Sequence, residues 1–402
     1  MKKIMLIGIG PGNVNLLTSE AKTAVQLAEV IIGSKRAVKI ADEVDGCVYM
    51  EKYEEYEAEK IRAIIKSTDY INYAVLLSGD VGFYSSSKKL LPLLNGIEVR
   101  QIPGISSMQY FCAKLLIPVD EVFHLTVHGK DSDIIKAIKT HKYTFLTMGK
   151  NVVQTIDKIA RFFPRAIINI GNRLSYIDES IVSMQAEKII SAGVIRDNDL
   201  SVILIQHDFC HTCLEIGISD SEFIRGSVPM TKSGARMFVI SKLKIAPTDI
   251  CYDIGAGTGS VSVEMAGLCK KLYAVERSPE AAELIRTNAF KFCIDNIDII
   301  EGSAPESLET LPPPDKVFIG GSTGRFRNIL EFLLMKNKNL RFAATAGSIE
   351  GICDITSAVK ALGLSDFECF QLNISESVKK GEYHLMSAKN PVFIITGELS
   401  DV

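Results

Sequence analysis

The chain has 402 residues, of which 47% are hydrophobic and 23% are charged, and its formal net charge is −3 at pH 7. This composition is typical of folded globular proteins and excludes a chain that is mainly disordered. A nearly neutral charge without blocks of like charge argues against a nucleic-acid-binding protein, and no apolar run approaches the roughly 20 residues of a membrane-spanning helix. At roughly 150 residues per domain, the length predicts two or three domains.

The first half alternates short apolar segments with helical patterns. We predict strands at residues 4–9, 30–33, 73–78, 99–102, 143–147, 166–170 and 200–205. Short apolar runs separated by helices are typical of mostly parallel sheets that are covered on both faces. Residues 115–118 are predicted to end a helix and to start a second lobe.

Two lysines follow Met1, and a short apolar stretch after them breaks at Gly10. This stretch is too short for a signal peptide and is better explained as a buried first strand. Nine cysteines are few for this length, and their odd number argues against a framework of disulfides. We therefore expect a protein of the reducing cytoplasm.

A second α/β pattern begins at about residue 245. We place a linker at 208–225, between a first domain at 1–207 and a second at 226–402. Strands are predicted at 250–254, 271–275, 297–300, 316–319 and 391–396, and helices at 261–268 and from Pro279 onward. The helix from Pro279 has apolar residues at i, i+3 and i+4. These elements predict one doubly wound α/β domain.

A glycine-rich loop follows the first strand of the second domain. Its glycines are Gly255, Gly257 and Gly259. They allow a tight turn and a close approach to a ligand, and the next helix can hold an anion at its N-terminus. A dinucleotide-binding loop would need glycine where Ser260 stands. Glu276, 23 residues after Asp253, ends the next strand and can accept hydrogen bonds from both hydroxyls of a ribose.

This spacing resembles that of class I S-adenosylmethionine-dependent methyltransferases. A plain tight turn and a different nucleotide cofactor are the alternatives. The resemblance implies that adenine contacts fall to backbone groups near Ser303, where many relatives have Asp, and that Gly320 and Gly321 face the substrate. The implied cofactor contacts in this half are Thr231, Asp253, Gly255, Ala256, Gly257, Thr258, Gly259, Glu276, Ser303 and Ala304.

Four segments rich in small residues follow strand ends in the first half. They are residues 8–13, 77–84, 102–109 and 127–130. Such ends are where open α/β sheets bind ligands, and the first segment lacks the Gly-Lys-Ser/Thr of a nucleotide triphosphatase. Together the segments resemble the tetrapyrrole methylase family, whose two-lobed fold also uses S-adenosylmethionine. The implied cofactor contacts are Gly10, Pro11, Gly12, Gly79, Asp80, Val81, Tyr84, Ser106 and Ser107.

Both halves together resemble the fused bifunctional precorrin methyltransferases of cobalamin biosynthesis. In that family the first half methylates carbon 5, and the second half methylates carbon 15 and removes the carboxylate of the ring C acetate. Residues 226–232, Arg236, 320–324 and 390–392 carry the resemblance in the second half. It implies one S-adenosylmethionine per domain and a precorrin or cobalt-precorrin substrate. Whether the ring already carries cobalt stays open.

The chain departs from the family pattern at four places. Val81 stands where Pro is common, and Lys130 stands where Arg is common, which keeps the charge but loses bidentate geometry. Gly234 stands where an acid is usual, and residues 374–377 lack a basic residue often found there. The last two departures concern the substrate pocket of the second half.

Methyl transfer from a sulfonium is an in-line displacement, so the protein mainly positions the two reactants. We expect no protein-bound metal. Because precorrins carry many carboxylates, their pockets should offer cations and other hydrogen-bond donors. Candidate substrate-binding residues are Lys130, Lys232, Gly320, Gly321, Arg325 and Arg327. Candidate catalytic residues are His128, as a proton acceptor near neutral pH, and Arg236. A structural histidine and solvated surface charges are the alternatives.

His207, at the end of the first predicted domain, and Cys210, His211 and Cys213 of the linker fall within seven residues. Zinc sites usually draw ligand pairs from separated segments, so we interpret this cluster as a linker with reduced thiols. One degenerate half that serves as a binding or assembly module, or a second half with another substrate, are the alternative functions. We expect a homo-oligomer that has no nucleic-acid or membrane partner.

Overall fold

The computed structural model describes residues 2–126, 133–147, 152–193, 200–208, 216–321, 324–364 and 367–398. The chain divides into two compact units, Met1–Cys210 and His211–Val402. In these described ranges, no helix combines the length and the apolar character that crossing a membrane requires.

The first unit opens with a five-stranded sheet in which every pair of neighbours is parallel. The strands are β1 (Lys3–Gly8), β2 (Val30–Gly33), β3 (Glu51–Glu54), β4 (Asn72–Leu77) and β5 (Glu98–Ile102), in the order β3-β2-β4-β1-β5. Helices α1 (Ser19–Gln26), α2 (Lys35–Asp42), α3 (Ala58–Ser67) and α4 (Ser87–Leu90) lie between them in sequence. Strands β1, β2 and β4 are almost wholly buried, which explains their unbroken apolar sequences.

The second sheet of this unit is mixed. After α5 (Ser107–Leu115) come β6 (Val122–Thr126), α6 (Ile134–Thr140), β7 (Tyr143–Thr147), α7 (Val152–Phe162), β8 (Ile167–Asn172), β9 (Ser180–Gln185), α8 (Ala186–Ile189) and β10 (Ser201–Gln206). The strand order is β6-β7-β10-β8-β9. Helix α5 ends at Leu115, and Leu116 adopts the left-handed conformation, so the predicted break between the lobes is confirmed.

The expectation of mostly parallel sheets is wrong for this second lobe. Only β6 and β7 pair in parallel, whereas β10 runs antiparallel to β7 and β8, and β9 runs antiparallel to β8. The physical reason is the connection length. A parallel crossover needs a dozen or more residues, and only residues 173–179 separate β8 from β9.

The second unit is built on a seven-stranded sheet. Its strands are β11 (Ile250–Ile254), β12 (Lys271–Glu276), β13 (Ile297–Glu301), β14 (Lys316–Ile319), β15 (Arg341–Ala346), β16 (Phe367–Leu372) and β19 (Val392–Glu398), in the order β13-β12-β11-β14-β15-β19-β16. Strand β19 is antiparallel to both neighbours. Strands β17 (Ser375–Lys380) and β18 (Tyr383–Ala388) form a separate antiparallel hairpin, and all their residues are exposed.

The helices of this unit are α9 (Ser233–Leu243), α10 (Ser260–Ala266), α11 (Pro279–Lys291), α12 (Phe326–Lys336) and α13 (Ile349–Ala361). Buried side chains form two clusters around this sheet, with Tyr252 in one and Phe318 in the other. The strand order reverses between β12-β11 and β14, which confirms the doubly wound fold. Ligands bind such sheets in the crevice at the reversal.

Because each unit has its own buried clusters, we predict that residues 1–207 and 216–402 fold when they are expressed separately. Each fragment should unfold cooperatively in a thermal melt that is followed by circular dichroism. As a matched control, fragments 1–165 and 166–402 should fail, because this break removes β8, β9 and β10 from their sheet. Aggregation of the first pair, with a soluble intact chain, would refute the prediction.

Candidate functional site

A cavity of about 950 Å³ opens at the carboxyl ends of the parallel strands of the second unit. It lies where the strand order reverses, and its volume is at the upper end of those that hold small molecules. The sequence-predicted residues that line it are Thr231, Lys232, Gly255, Ala256, Gly257, Glu276, Ser303, Ala304, Gly320 and Gly321. The structure therefore brings most of the predicted site of this unit to one place.

The glycine loop after β11 needs its glycines. Gly255, Gly257 and Gly259 all have positive φ angles, between 56° and 76°, where other residues are strained. A side chain at Gly255 would also lie 2.8 Å from the backbone nitrogen of Gly321. The loop can thus pass close to both the next loop and a ligand.

The Glu276 carboxylate is held by backbone N–H groups at the end of β12. Its Oε2 accepts a hydrogen bond from Gly257 at 2.9 Å, and its Oε1 accepts bonds from Arg277 at 2.9 Å and Ser278 at 3.0 Å. These bonds fix the carboxylate at the cavity wall. A carboxylate has roughly four acceptor sites, and these bonds use two on Oε1 and one on Oε2, so Oε2 can still accept a hydrogen bond from a ribose hydroxyl.

Three predicted cofactor contacts lie behind the cavity rather than on its lining. Asp253, Thr258 and Gly259 are buried beneath the loop, and their contact with the cofactor stays a prediction. Asp253 Oδ2 accepts a hydrogen bond from Ser262 Oγ at 2.5 Å. Within the described residues, Asp253 Oδ1 and Thr258 Oγ1 have no hydrogen-bond partner. Burial raises the pKa of Asp253 to about 7, and the nearby Glu276 carboxylate contributes in the same direction.

Three basic side chains line the cavity: Lys232, Arg277 and Lys389. The Lys389 ammonium lies 3.1 Å from Glu376, and the Lys389 backbone N–H donates to the Ile374 carbonyl at 2.8 Å. This contact closes the base of the β17–β18 hairpin. Lys389 thereby places a cation beside residues 374–377, where the sequence itself has none. Sequence analysis missed it, although it immediately precedes the 390–392 segment.

Arg236 is not a residue of the cavity lining. It is fully buried, and its guanidinium donates to Glu264 at 2.8 Å and to Asp220 at 2.9 Å. In this arrangement Arg236 offers no surface to the cavity, and its predicted catalytic role stays a prediction.

Arg325 and Arg327 are also outside the cavity lining. Arg325 forms a bidentate pair with Glu306, and Arg327 pairs with Glu331 at 2.8 Å, one turn along α12. Both are exposed surface ion pairs, and substrate binding by either arginine stays a prediction. Residues 322–323 lie outside the described residues.

In the first unit, the predicted strand-end loops come together. Gly10 and Gly79 exchange two backbone hydrogen bonds, of 3.1 and 2.9 Å. The Asp80 carboxylate accepts hydrogen bonds from Gly82 at 2.8 Å and from Gly104 at 2.9 Å. A side chain at Gly104 would lie 2.4 Å from the Gly79 carbonyl, so only glycine fits there. Three separate loops thus converge on one point.

The remaining predicted contacts surround this point. Ser106 caps α5 in a reciprocal capping box with Gln109, and Ser107 begins that helix. Pro11 precedes Gly12, on which the Tyr176 ring packs so closely that any side chain would clash. Val81 is buried in the core, so only its backbone is available to a ligand. Tyr84 is largely exposed and has a positive φ of 48°.

The two residues predicted in the 127–130 segment, His128 and Lys130, lie outside the described residues. Sequence analysis missed His124, which lies on β6. Its Nε2 is 2.6 Å from Thr147 Oγ1, and its ring is 4.0 Å from that of Tyr84. Burial lowers the pKa of His124 to about 4, so the imidazole is neutral at pH 7. No glycine motif marks this strand in the sequence.

The cluster in the predicted linker is described only at His207. Its backbone N–H donates to the Lys142 carbonyl at 2.9 Å, and its ring contacts Phe163. Cys210, His211 and Cys213 lie outside the described residues. Across the ranges that the structure does describe, no group of three or more His, Cys, Asp and Glu side chains could hold a metal ion.

Comparison with known proteins finds a different family in each half of the chain. Residues 3–190 match the tetrapyrrole (corrin/porphyrin) methylases, and residues 223–397 match the precorrin methyltransferase domain. A relative from Sulfolobus acidocaldarius, described as a probable cobalt-precorrin-6B C(15)-methyltransferase (decarboxylating), is 40% identical over 192 residues, which are 45% of this chain and 97% of the relative. A relative from Pyrobaculum calidifontis with the same description is 37% identical and covers 45% of this chain and 94% of its own length.

Among solved structures, a precorrin-6Y C5,15-methyltransferase from Geobacter metallireducens is 34% identical. The similarity covers 46% of this chain and 97% of that chain, with a TM-score of 0.44.

The doubly wound fold, its glycine loop and the acid at the end of β12, together with these relatives, define the protein as a methyltransferase. More particularly, the chain belongs to the precorrin methyltransferase family, since it covers nearly the whole length of relatives that are more than 30% identical to it. Members of this family use S-adenosylmethionine as the methyl donor.

We predict that Glu276→Ala weakens binding of S-adenosylhomocysteine to the second unit by a few kcal/mol. The variant removes the charge-assisted hydrogen bond that Oε2 can accept from the ribose, worth roughly 1.5–3 kcal/mol. Isothermal titration calorimetry would measure the Kd. Glu283→Ala, an exposed glutamate on α11, should bind like the parent. An unchanged Kd for Glu276→Ala would remove Glu276 from the site.

We predict that Asp253→Asn reduces the pH dependence of stability. In an unfolded chain Asp titrates near 3.9, so a folded pKa of about 7 means that the fold holds the proton more tightly. Stability from this group is therefore greatest at low pH and falls as pH rises toward 7. Asn still accepts the Ser262 hydrogen bond but cannot ionise.

Between pH 5 and pH 8, the parent should lose roughly 2–3 kcal/mol more unfolding free energy than Asp253→Asn. Urea unfolding at both pH values would measure this. Asp298→Asn, which changes an exposed carboxylate, should behave like the parent. Equal pH dependence in Asp253→Asn and the parent would show that Asp253 ionises normally.

Proposed function

We propose that the chain is a bifunctional S-adenosylmethionine-dependent methyltransferase that acts on a precorrin or cobalt-precorrin in cobalamin biosynthesis. The first unit methylates carbon 5. The second unit methylates carbon 15 and removes the carboxylate of the ring C acetate. The observation that carries the proposal is the cavity of the second unit, whose lining combines the glycine loop and Glu276 with three basic side chains.

The cofactor-type residues of the lining fit S-adenosylmethionine. Glu276 Oε2 accepts a hydrogen bond from a ribose hydroxyl, Ser303 and Ala304 border the adenine, and the loop at Gly255 and Gly257 leaves room for the methionine portion. The cofactor supplies a methyl group that is already activated as a sulfonium. The protein therefore contributes mainly position, which is the larger part of the catalysis that such a displacement needs.

The open part of the cavity suits a flat, polycarboxylate macrocycle. A Cβ added at Gly321 would meet nothing within 4 Å, so the cavity is open where the methyl group would face its acceptor. Lys232 and Lys389 can pair with acetate or propionate groups at the rim. These contacts hold the acceptor carbon against the donor.

The decarboxylation requires no further catalytic group. When the acetate carbon–carbon bond breaks and carbon dioxide leaves, the electron pair passes into the conjugated macrocycle, which then takes up a proton. The second unit need only hold the acetate close to carbon 15. Its lysines at the rim, rather than a nucleophile, serve that task.

The convergence of glycine loops in the first unit supports a second cofactor site. Gly10, Gly79 and Gly104 bring three strand ends within hydrogen-bond distance, and Asp80 fixes them. Ser106 and Ser107 add a helix N-terminus with hydroxyl groups at the same point. Residues of this kind bind the polar groups of a cofactor at the edge of an open sheet.

The experiment is incubation of the full chain with S-adenosylmethionine and either cobalt-precorrin-6B or its cobalt-free form. Mass spectrometry should show two added methyl groups and the loss of carbon dioxide from one of the two substrates. Glu276→Ala should retain one methylation and lose both the second methylation and the decarboxylation. In parallel, calorimetry should count two S-adenosylhomocysteine molecules per chain. A single methylation with one bound cofactor analogue would favour one degenerate half instead.

A further inference from the structure

We propose that the buried Arg236 is a positioning residue that acts through Asp220. By occupying the Asp220 carboxylate, Arg236 leaves the Lys232 ammonium available to bind a carboxylate of the substrate. This inference rests on the proposed function of the second unit, and it assigns a role to two residues that do not line the cavity.

The Arg236 guanidinium is held by two acids and two backbone carbonyls. Its Nε donates to Glu264 Oε1 at 2.8 Å, and one terminal nitrogen donates to Asp220 Oδ1 at 2.9 Å and to the Thr231 carbonyl at 2.6 Å. The other terminal nitrogen donates to the Ile218 carbonyl. With most of its donors used and none of its surface exposed, the side chain has one available position.

Glu264 fixes this arrangement to the cofactor side of the domain. It lies on α10, the helix that starts directly after the glycine loop, and its side chain is fully buried. It also accepts hydrogen bonds from the backbone N–H groups of Gly217 at 3.0 Å and Ile218 at 3.2 Å. The 216–232 segment is thus anchored to the same helix that ends the glycine loop.

Asp220 is shared between a strong and a weak partner. Its Oδ1 accepts from Arg236 and, at 3.0 Å, from the backbone N–H of Ser233 at the start of α9. The Lys232 ammonium lies 3.6 Å from Oδ2, beyond normal hydrogen-bond length. Lys232 is half-exposed and lines the cavity, so its ion pair with Asp220 is weak and a substrate carboxylate can replace it.

The charges of Glu264, Arg236, Asp220 and Lys232 explain why Asp220 binds Arg236 closely and Lys232 only weakly. Glu264 and Asp220 carry two negative charges, and Arg236 lies between them. Without the guanidinium at Asp220, the lysine would be the nearest cation to that carboxylate. A closer pair would then hold Lys232 against Asp220 and away from the cavity. Arg236 therefore controls a cation that it does not touch.

The segment that carries Lys232 also borders the glycine loop. The Pro229 carbonyl would lie 3.1 Å from a Cβ at Gly257, so residues 228–232 form the wall next to the cofactor position. A buried ion pair contributes little net stability compared with apolar packing, whereas it can fix one geometry. That balance suits a residue whose task is position.

The test uses Arg236→Lys, which keeps one charge for Glu264 but loses the fork that reaches Asp220. We expect KM for the tetrapyrrole to rise by about tenfold, as for the loss of one exposed charge-assisted contact, with kcat nearly unchanged. In a Lys232→Met background, Arg236→Lys should raise KM no further. Adding Asp220→Asn to Arg236→Lys should restore KM, because a neutral amide no longer attracts the lysine.

A merely structural role would not produce this rescue. Equal increases of KM with and without Lys232, or no restoration by Asp220→Asn, would overturn the proposal. If Arg236→Lys fails to fold, Asp220→Asn alone is decisive. Its KM for the tetrapyrrole should fall, because Lys232 no longer pairs with Asp220, and a rise in KM would overturn the proposal. The control is Lys242→Met. Lys242 lies on the same helix as Arg236 and pairs with Glu368 of β16, so its loss should leave KM unchanged.

Failure of the proposed function would be distinct. It would appear as no turnover of either tetrapyrrole by the parent chain, before any variant is compared. Failure of the inference would appear only with an active parent, in the pattern of KM values across the variants.

Discussion

The site geometry in both units depends on carboxylates that accept hydrogen bonds from the backbone N–H groups of loops. Such loops cannot satisfy their N–H groups in a ladder or a helix, and an unpaired buried group is costly. Asp80 holds the Gly104 turn, Glu276 holds the glycine loop at Gly257, and Glu264 holds residues 217–218. Each carboxylate fixes a loop that glycine alone would leave mobile.

The two units reach this solution from different sheets. In the first unit, the all-parallel sheet brings Gly10 and Gly79 together as backbone partners, and the loops meet almost without side chains. In the second unit, the reversal of strand order opens a crevice beside β11, and longer side chains such as Glu276 and Lys389 reach into it. The backbone N–H groups of a loop can thus be held by another loop's backbone, as at Gly10 and Gly79, or by a side chain of the crevice wall, as at Glu276.

Much of the fold could be predicted because buried parallel strands are apolar on both faces. Most strands that the prediction missed are of another kind. β3 reads Glu-Lys-Tyr-Glu at a sheet edge, β6, β9 and β16 contain no fully buried residue, and β17 and β18 are exposed throughout. The missed strand β15 is largely buried, and it begins with Arg341, whose charge is met by Glu398 on the neighbouring strand. Period and hydrophobicity alone do not show such pairing.

The candidate site divides in the same way. The predicted residues near strand ends line the cavity, because the chain itself keeps Gly255, Gly257 and Gly320 there. The surroundings of Arg236 and Arg325 could not be predicted, because their partners Glu264 and Glu306 are distant in sequence. Lys389 enters the cavity only because a hairpin returns the chain to Ile374.

The position of β19 has a consequence for synthesis on the ribosome. This strand lies between β15 and β16, so the sheet of the second unit has a gap until residues 392–398 have emerged. Until then, β15 and β16 each present an unpaired edge to any other chain nearby. The first unit completes its second sheet with β10, which ends at Gln206, and can fold while the rest is translated. Nascent chains of the second unit are therefore most exposed to aggregation between the synthesis of β16 and the emergence of β19, which is when a chaperone would protect them.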